Sequence, residues 1–508
     1  MSPSPESSIR ESGGTPAQAE TPKPTDERRW LLWLFVFAVA VRLATLGAYP
    51  LMDNTESRYA EMARKMVETG DWLWPQFKYG VPHWSKPPLS TWLTAATYLG
   101  FGVNEFAARF SSLVACLAVV WLTVDLAARR AIPGLGWKAA VVLFTTSLVF
   151  ISAGAVMTDP ALALGTTLSM AGFWQGMTRS GRTARVWGYL FFVGLAIGLL
   201  AKGPIDVVLT FIPVGLWTLW KGGIRNVWQR LPWISGFVLT VVLTVPWYLL
   251  AELRTPGYLK YYIVGEHWKR YTEAGWKGDM FGTAHARPRG AIWVYAILAT
   301  LPWCVVWFGM LWKMWRQGML PRRDADDGWR AYLWLWMLSS PVFFTFAGNV
   351  LITYVLPGLP AFALLVAETW NAVGDRQRGG AATKISSLAI PALMTLGVLF
   401  VIPRFAPDHS HNALVAQYKA LRASDAAQLV YVNEAPQSAE FYAGGKVVTV
   451  KSMADLDPYL GDNKRDFYAL TQEQLGERPD LRRRLTAVNR YGRHVLLVEA
   501  APPTAPAQ

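Results

Sequence analysis

The chain has 508 residues, 52% of them hydrophobic and only 17% charged, with a mean hydropathy of +0.21 and a formal net charge of +14. Soluble domains carry about 25% charged residues, so this balance excludes an ordinary soluble enzyme, and the 26 Trp residues suit membrane–water interfaces. The positive charge fits loops flanking membrane spans and anionic headgroups, with no nucleic acid among the partners. Cys116 and Cys304 both sit in apolar runs, which excludes a disulfide framework or a cysteine zinc site.

Residues 1–29, rich in Ser, Pro, Thr, Glu and Gly, read as a disordered cytoplasmic tail. Arg28 and Arg29 precede an apolar run without a cleavage site, which reads as a retained span. Similar stretches, each near the length that crosses a bilayer, lie near 30–48, 107–128, 135–153, 160–178, 186–201, 205–221, 232–251, 290–313, 331–347, 351–370 and 385–403. The expected fold is a polytopic α-helical membrane protein of about 11–13 transmembrane helices, the upper figure allowing for broken spans. Residues 87–101 (PPLSTWLTAATYLGF) are apolar but short, and read as a helix lying at the interface.

The positive-inside rule orients the path. Arg28–Arg29, Arg129–Arg130 with Lys138, Arg179 to Arg185, Lys221 to Arg230, Lys313 to Arg323, and Arg376 to Lys384 all fall on one side, taken as cytoplasmic. The other side receives loops 49–106 and 252–289, short turns near Asp159, Lys202 and Asn349, and the chain from Arg404 onward. Loop 252–289 is itself basic, against the rule, which marks it as functional. Residues 405–508 read as a small α/β domain outside the membrane, with strands in AQLVYV, GKVVTV and HVLLVE, and helices in ADLDPYL and TQEQLGERPDLRRRL.

The residues able to carry chemistry cluster on that second side. Asp53 and Glu56 open a predicted helix over 55–68 that Gly70 stops; Asp53 or Asn54 could equally be its cap. Lys86 precedes Pro87-Pro88, either as a snorkelling stem or as a cation facing a phosphate. Asp159 before Pro160 reads as an N-cap or a polar contact, and Lys202 stands alone among apolar residues, where ionisable groups are costly and functional. Glu266, His267 and His285 are candidate ligands for a divalent metal, although their spacing defines no set, while Arg270, Arg287 and Arg289 suit phosphate. Tyr354 could place a hydroxyl at the same surface or pack there. No P-loop, HExxH or GxSxG elbow is present.

In order along the chain, ESRYAEMARKMVETGDWLWPQF, GVPHWSKPPLSTWL, GVNEFAARF, MTDPALAL, LAKGP, the EHWKRY loop and ITYVLPGLP resemble the lipid A aminoarabinose transferases. More distantly they resemble the protein O-mannosyltransferases; both are membrane-embedded GT-C glycosyltransferases. The likeness covers about residues 30–370, and SAEFYAGGKVVTV resembles the outer domain of the same family. It implies a polyprenyl (undecaprenyl) phosphate-sugar donor and a lipid A, glycan or protein acceptor. It also implies transfer at the periplasmic face of the bacterial inner membrane, with the C-terminal domain periplasmic.

The family's catalytic carboxylate lies in an Asp-Glu pair before Arg-Tyr. Here Glu56 stands at the second acid and Thr55 at the first, with Asp53 nearby, and Ser85 replaces the Glu that often precedes Lys-Pro-Pro. The implied roles are Asp53 or Glu56 as base, Arg58, Lys86, Lys202 and Arg270 on the donor phosphate, and Tyr59, Asp159 and Tyr354 orienting substrate. The chemistry requires no cofactor. A transporter of lipid-linked sugars is the rival reading, but transporters place ionisable residues near the midplane and often carry internal repeats, neither of which is evident here. A non-catalytic scaffold is the third.

Overall fold

The computed structural model describes residues 24–499 apart from 54, 131, 282–283, 320–326, 374–378, 461 and 463. Most of the tail expected over 1–29, the alternative cap Asn54, and the basic residues around Arg322 and Arg376 lie outside the described residues. Residues 24–29 differ from the expectation, because the first helix already begins at Pro24 and runs to Thr45.

Every predicted span is helical, but not every one is a single straight helix. Six described helices are long and apolar enough to cross a membrane, and a seventh if Ala291–Thr300 and Trp303–Arg316, which meet at 89°, are one broken span. The stretch over 135–153 divides into Leu135–Phe144 and Ser147–Ser152. The run PPLSTWL forms the helix Leu89–Phe101, too short to cross, and its Tyr98 hydroxyl donates to Ala60 O (3.3 Å) in the helix Glu56–Thr69.

The helices Asp159–Thr178 and Gly181–Lys202 form an antiparallel hairpin whose contact is built from small residues. A Cβ at Gly165 would lie 2.6 Å from the backbone N of Gly198, and one at Gly172 would lie 2.5 Å from the N of Phe191. Only glycine permits that approach, and close backbone contact replaces the hydrophobic drive that helices lack in lipid. Because the hairpin is antiparallel, the first residue of one helix meets the last of the other.

Basic loops assigned to one side gather at one end of the bundle. Arg130 pairs with Asp327 (2.6 Å), Lys138 with Glu27 (2.6 Å) and Asn371 (2.8 Å), and Arg230 donates to Arg179 O (2.9 Å). Loops 49–106 and 252–289 gather at the other end, where a short hairpin of β1 (Gln76–Lys78) and β2 (Val81–Pro82) shapes the first of them.

The last span continues helical to His409. Beyond it lies a five-stranded sheet: β3 (Leu429–Val432), β4 (Val448–Val450), β5 (Phe467–Thr471), β6 (Leu485–Tyr491) and β7 (His494–Glu499), in the order β4-β3-β5-β7-β6. The first three are parallel, and β7 joins antiparallel between β5 and β6. Strands β5 and β6 were not anticipated. The helix expected over 471–485 is two short ones, Gln472–Glu477 and Leu481–Arg484, flanking Pro479; the first opens with a capping box between Thr471 and Gln474.

Candidate active site

A cavity of about 740 Å³ opens at the loop end of the bundle, walled by the first loop, the ends of the glycine hairpin, loop 252–289 and the turn before Ile352. Arg58, Tyr59, Lys86, Asp159, Lys202, Glu266, His267, Arg270, His285 and Tyr354 all line it, so ten of the fourteen candidate residues converge on one space, and Asp53, Glu56, Arg287 and Arg289 do not line it.

Each element delivers its side chain for a local reason. The hairpin brings Lys202 Nζ within 2.6 Å of Asp159 Oδ1, with the acid at a helix N-terminus and the cation at a C-terminus, as helix dipoles favour. Asp159 is therefore an ion-pair partner: the structure shows no side-chain cap at this helix start. Lys202 Nζ also lies 4.6 Å from the centre of the Tyr354 ring. Loop 252–289 is partly helical over Tyr261–Lys269, which aims Glu266 at Lys86 (2.9 Å) and at Arg270 (3.2 Å). Arg270 also meets Asp279 (3.0 Å), while Asn349 Nδ2 donates to Arg270 O (2.6 Å) and Glu273 O (2.7 Å), fastening the loop to the turn before Ile352.

Burial alone would raise the Glu266 pKa. The Lys86 ammonium and the Arg270 guanidinium outweigh it and hold the carboxyl at about 2. Arg58 has no carboxylate partner among the described residues; it donates through Nη1 to Phe281 O. The Nε–H groups of Arg58 and Arg270 are buried in the cavity wall with no hydrogen-bond partner among the described residues.

The two acids expected as bases lie outside this space. Asp53 and Glu56 do not line the main cavity; with Thr55 they face a neighbouring recess of about 260 Å³. Asp53 accepts from the backbone N (2.7 Å) and Oγ (2.6 Å) of Ser438 and from Ser57 Oγ (3.0 Å), so it joins the first loop to the C-terminal domain. Glu56 is held by both arms of the buried Arg109 (Nε–Oε1 2.7 Å, Nη2–Oε2 2.8 Å), whose remaining protons go to the carbonyls of Leu46, Tyr49 and Pro50. Both carboxylates are held by protein partners beside the main cavity.

The metal set does not assemble either. His267 Nδ1 lies 2.8 Å from Tyr262 O and its Nε2 3.3 Å from Lys202 O, Glu266 is bound to cations, and no group of three His, Cys, Asp or Glu suited to a metal occurs among the described residues. Sequence reading missed His83, Asp279 and Asn349 as lining residues. Only His83 carried a signal, its place three residues before Lys86 in GVPHWSKPP.

Fold and site together define an integral membrane protein with a cation-walled chamber at one end of its helical bundle. Residues 28–262 match the family model for dolichyl-phosphate-mannose-protein mannosyltransferase. The chain is 29% identical over 389 residues to undecaprenyl phosphate-alpha-4-amino-4-deoxy-L-arabinose arabinosyl transferase 1 of Pseudomonas fluorescens, a match covering 74% of this chain and 65% of that protein. It is also 29% identical over 401 residues to the corresponding transferase of Aeromonas hydrophila, covering 75% and 67%. The chain thus spans about two thirds of the length of these relatives. Its fold matches the crystal structure of ArnT from Cupriavidus metallidurans bound to undecaprenyl phosphate with a TM-score of 0.73 at 19% identity, covering 94% of this chain and 99% of that one. The chain is thus similar in sequence to these membrane transferases and shares the fold of the Cupriavidus protein.

Proposed function

We propose that this protein transfers a sugar from a polyprenyl phosphate, of the undecaprenyl type, to a phosphate-bearing glycolipid such as lipid A, at the outer face of the bacterial inner membrane. One observation carries the reading: Arg58, Lys86, Lys202 and Arg270 converge on one chamber, and two of their buried guanidinium N–H groups have no partner there among the described residues. Buried N–H donors left unsatisfied are costly, and a phosphate would satisfy them through charge-assisted hydrogen bonds. The names of the relatives and the polyprenyl phosphate bound to the Cupriavidus protein support the same donor class.

The chemistry follows from charge. An acceptor oxygen attacks the anomeric carbon, the bond from that carbon to the phosphate oxygen breaks, and the electron pair leaves with the polyprenyl phosphate. The phosphate goes from a monoanionic diester towards a dianionic monoester, and the Arg58, Lys86 and Arg270 side chains stabilise the added charge. Lys202, Asp159, Tyr59 and Tyr354 line the same chamber and orient sugar and acceptor. An acceptor hydroxyl would need a base, yet Asp159, Glu266 and Asp279 are each bound to a cation. An acceptor phosphate needs none, because it arrives deprotonated, with a second pKa of about 6. The basic loop 252–289 faces the same side and suits an anionic glycolipid.

The test is reconstitution of the full chain in liposomes with an undecaprenyl phosphate-sugar and lipid A, followed by mass spectrometry of both lipids. The expected outcome is loss of the donor with gain of the sugar mass on the acceptor. Arg58→Ala and Arg270→Ala are each expected to raise the donor KM about tenfold or more, the worth of a hydrogen bond to a charged group. A donor that is bound and never consumed would replace transfer with transport.

A further inference from the structure

His83 stands in the chamber wall with no polar partner among the described residues. Its side chain is 1% exposed, and among the described residues neither ring nitrogen makes a hydrogen bond. Aromatic rings hold it: Phe77 is stacked at 6.2 Å between centroids, and Phe281 and Tyr59 are edge-on at 4.6 and 6.1 Å. A phenyl ring would pack in that slot without burying an unsatisfied donor and acceptor, so a polar ring there has a cost that a ligand can remove.

Burial, reinforced by the Lys86 and Arg58 cations, pushes the His83 pKa down to about 3. The imidazole is therefore neutral at any working pH and presents one N–H donor and one bare nitrogen. A sugar hydroxyl also donates and accepts, and matches it. An amino sugar would add an ammonium beside Arg58 and Lys86, and the acids lining the chamber are already bound to cations, so none of them is free to pair with it. Thr55 and Ser85, the other polar side chains near the first loop's edge of the chamber, carry no charge.

We propose that His83 contacts a hydroxyl group of the transferred sugar, and that this sugar is a neutral pentose or hexose, in contrast to the amino sugar in the names of the relatives. The inference rests on the donor reading above and specifies the class of sugar for the same site.

The experiment titrates the full chain in lipid nanodiscs with three lipids: undecaprenyl phosphate, the same lipid carrying glucose or arabinose, and the same lipid carrying 4-amino-4-deoxy-L-arabinose. Binding is read by native mass spectrometry. The neutral-sugar lipid is expected to bind tightest. His83→Phe keeps the ring packing and removes both polar atoms. It should cost the neutral-sugar lipid about tenfold, of the order of one buried hydrogen bond, and leave sugar-free undecaprenyl phosphate unchanged. His83→Asn should recover part of the loss, and Ser85→Glu should shift preference towards the amino sugar. Equal or tighter binding of the amino-sugar lipid by the natural protein would overturn the inference, as would a His83→Phe variant that weakens all three lipids alike. Failure of all three to bind would overturn the donor reading itself, and the inference with it.

Discussion

Arg109 shows how much a single buried cation can organise. It is fully buried, holds Glu56 with two hydrogen bonds, takes three backbone carbonyls of the chain entering the first loop, and lies 3.8 Å from the centre of the Tyr49 ring. Removing one partner of such a pair leaves an uncompensated buried charge. Glu56→Gln and Arg109→Met should therefore each destabilise the protein by about 3 kcal/mol, measured as loss of unfolding free energy in detergent. The double variant should cost clearly less than the sum, because one interaction is lost once. Transfer per folded molecule should survive Glu56→Gln. A catalytic base would give the reverse pattern, with normal stability and a collapsed kcat.

The glycine hairpin acts on the site at the scale of two helices. The hairpin's depth of contact sets how closely Asp159 and Lys202 meet at its open end, so packing far inside the bundle fixes the chamber wall. Gly165→Leu is expected to separate the helices, to cost about 1–3 kcal/mol by overpacking, and to reduce transfer by more than its loss of folded protein explains; comparing activity with folded fraction checks this.

The helices themselves were legible because the period and length of the apolar runs suffice to define them. So was the clustering of the site, because isolated charges at span ends have few places to go. The role of Glu56 was not legible. A carboxylate beside a helix start looks the same in sequence whether it faces substrate or Arg109, which is 53 residues away. Strands β5 and β6 were missed because β5 is a short apolar run at FYAL without alternation, and β6 (LTAVNRY) lacks a regular alternation and follows a charged helix.

For the molecule as a whole, the C-terminal domain is part of the wall around the first loop. The helix Gln437–Ala443 supplies Ser438 to Asp53, Glu440 to Lys65 (2.9 Å), and the Tyr442 hydroxyl to Leu51 N (2.7 Å) and Glu105 (2.9 Å). Asp53 N also donates to His409 O (2.7 Å), where the last span ends. Deleting the domain exposes these groups and should abolish stable expression of the membrane part, as judged by gel filtration of the truncated chain.

The same contacts make the covalent join at residue 410 redundant for assembly. Cut there, the protein becomes a heterodimer whose two chains already possess a specific interface. Co-expressed halves divided at that point are expected to co-purify through the Asp53–Ser438 and Lys65–Glu440 contacts, so that an affinity tag on either fragment retrieves both.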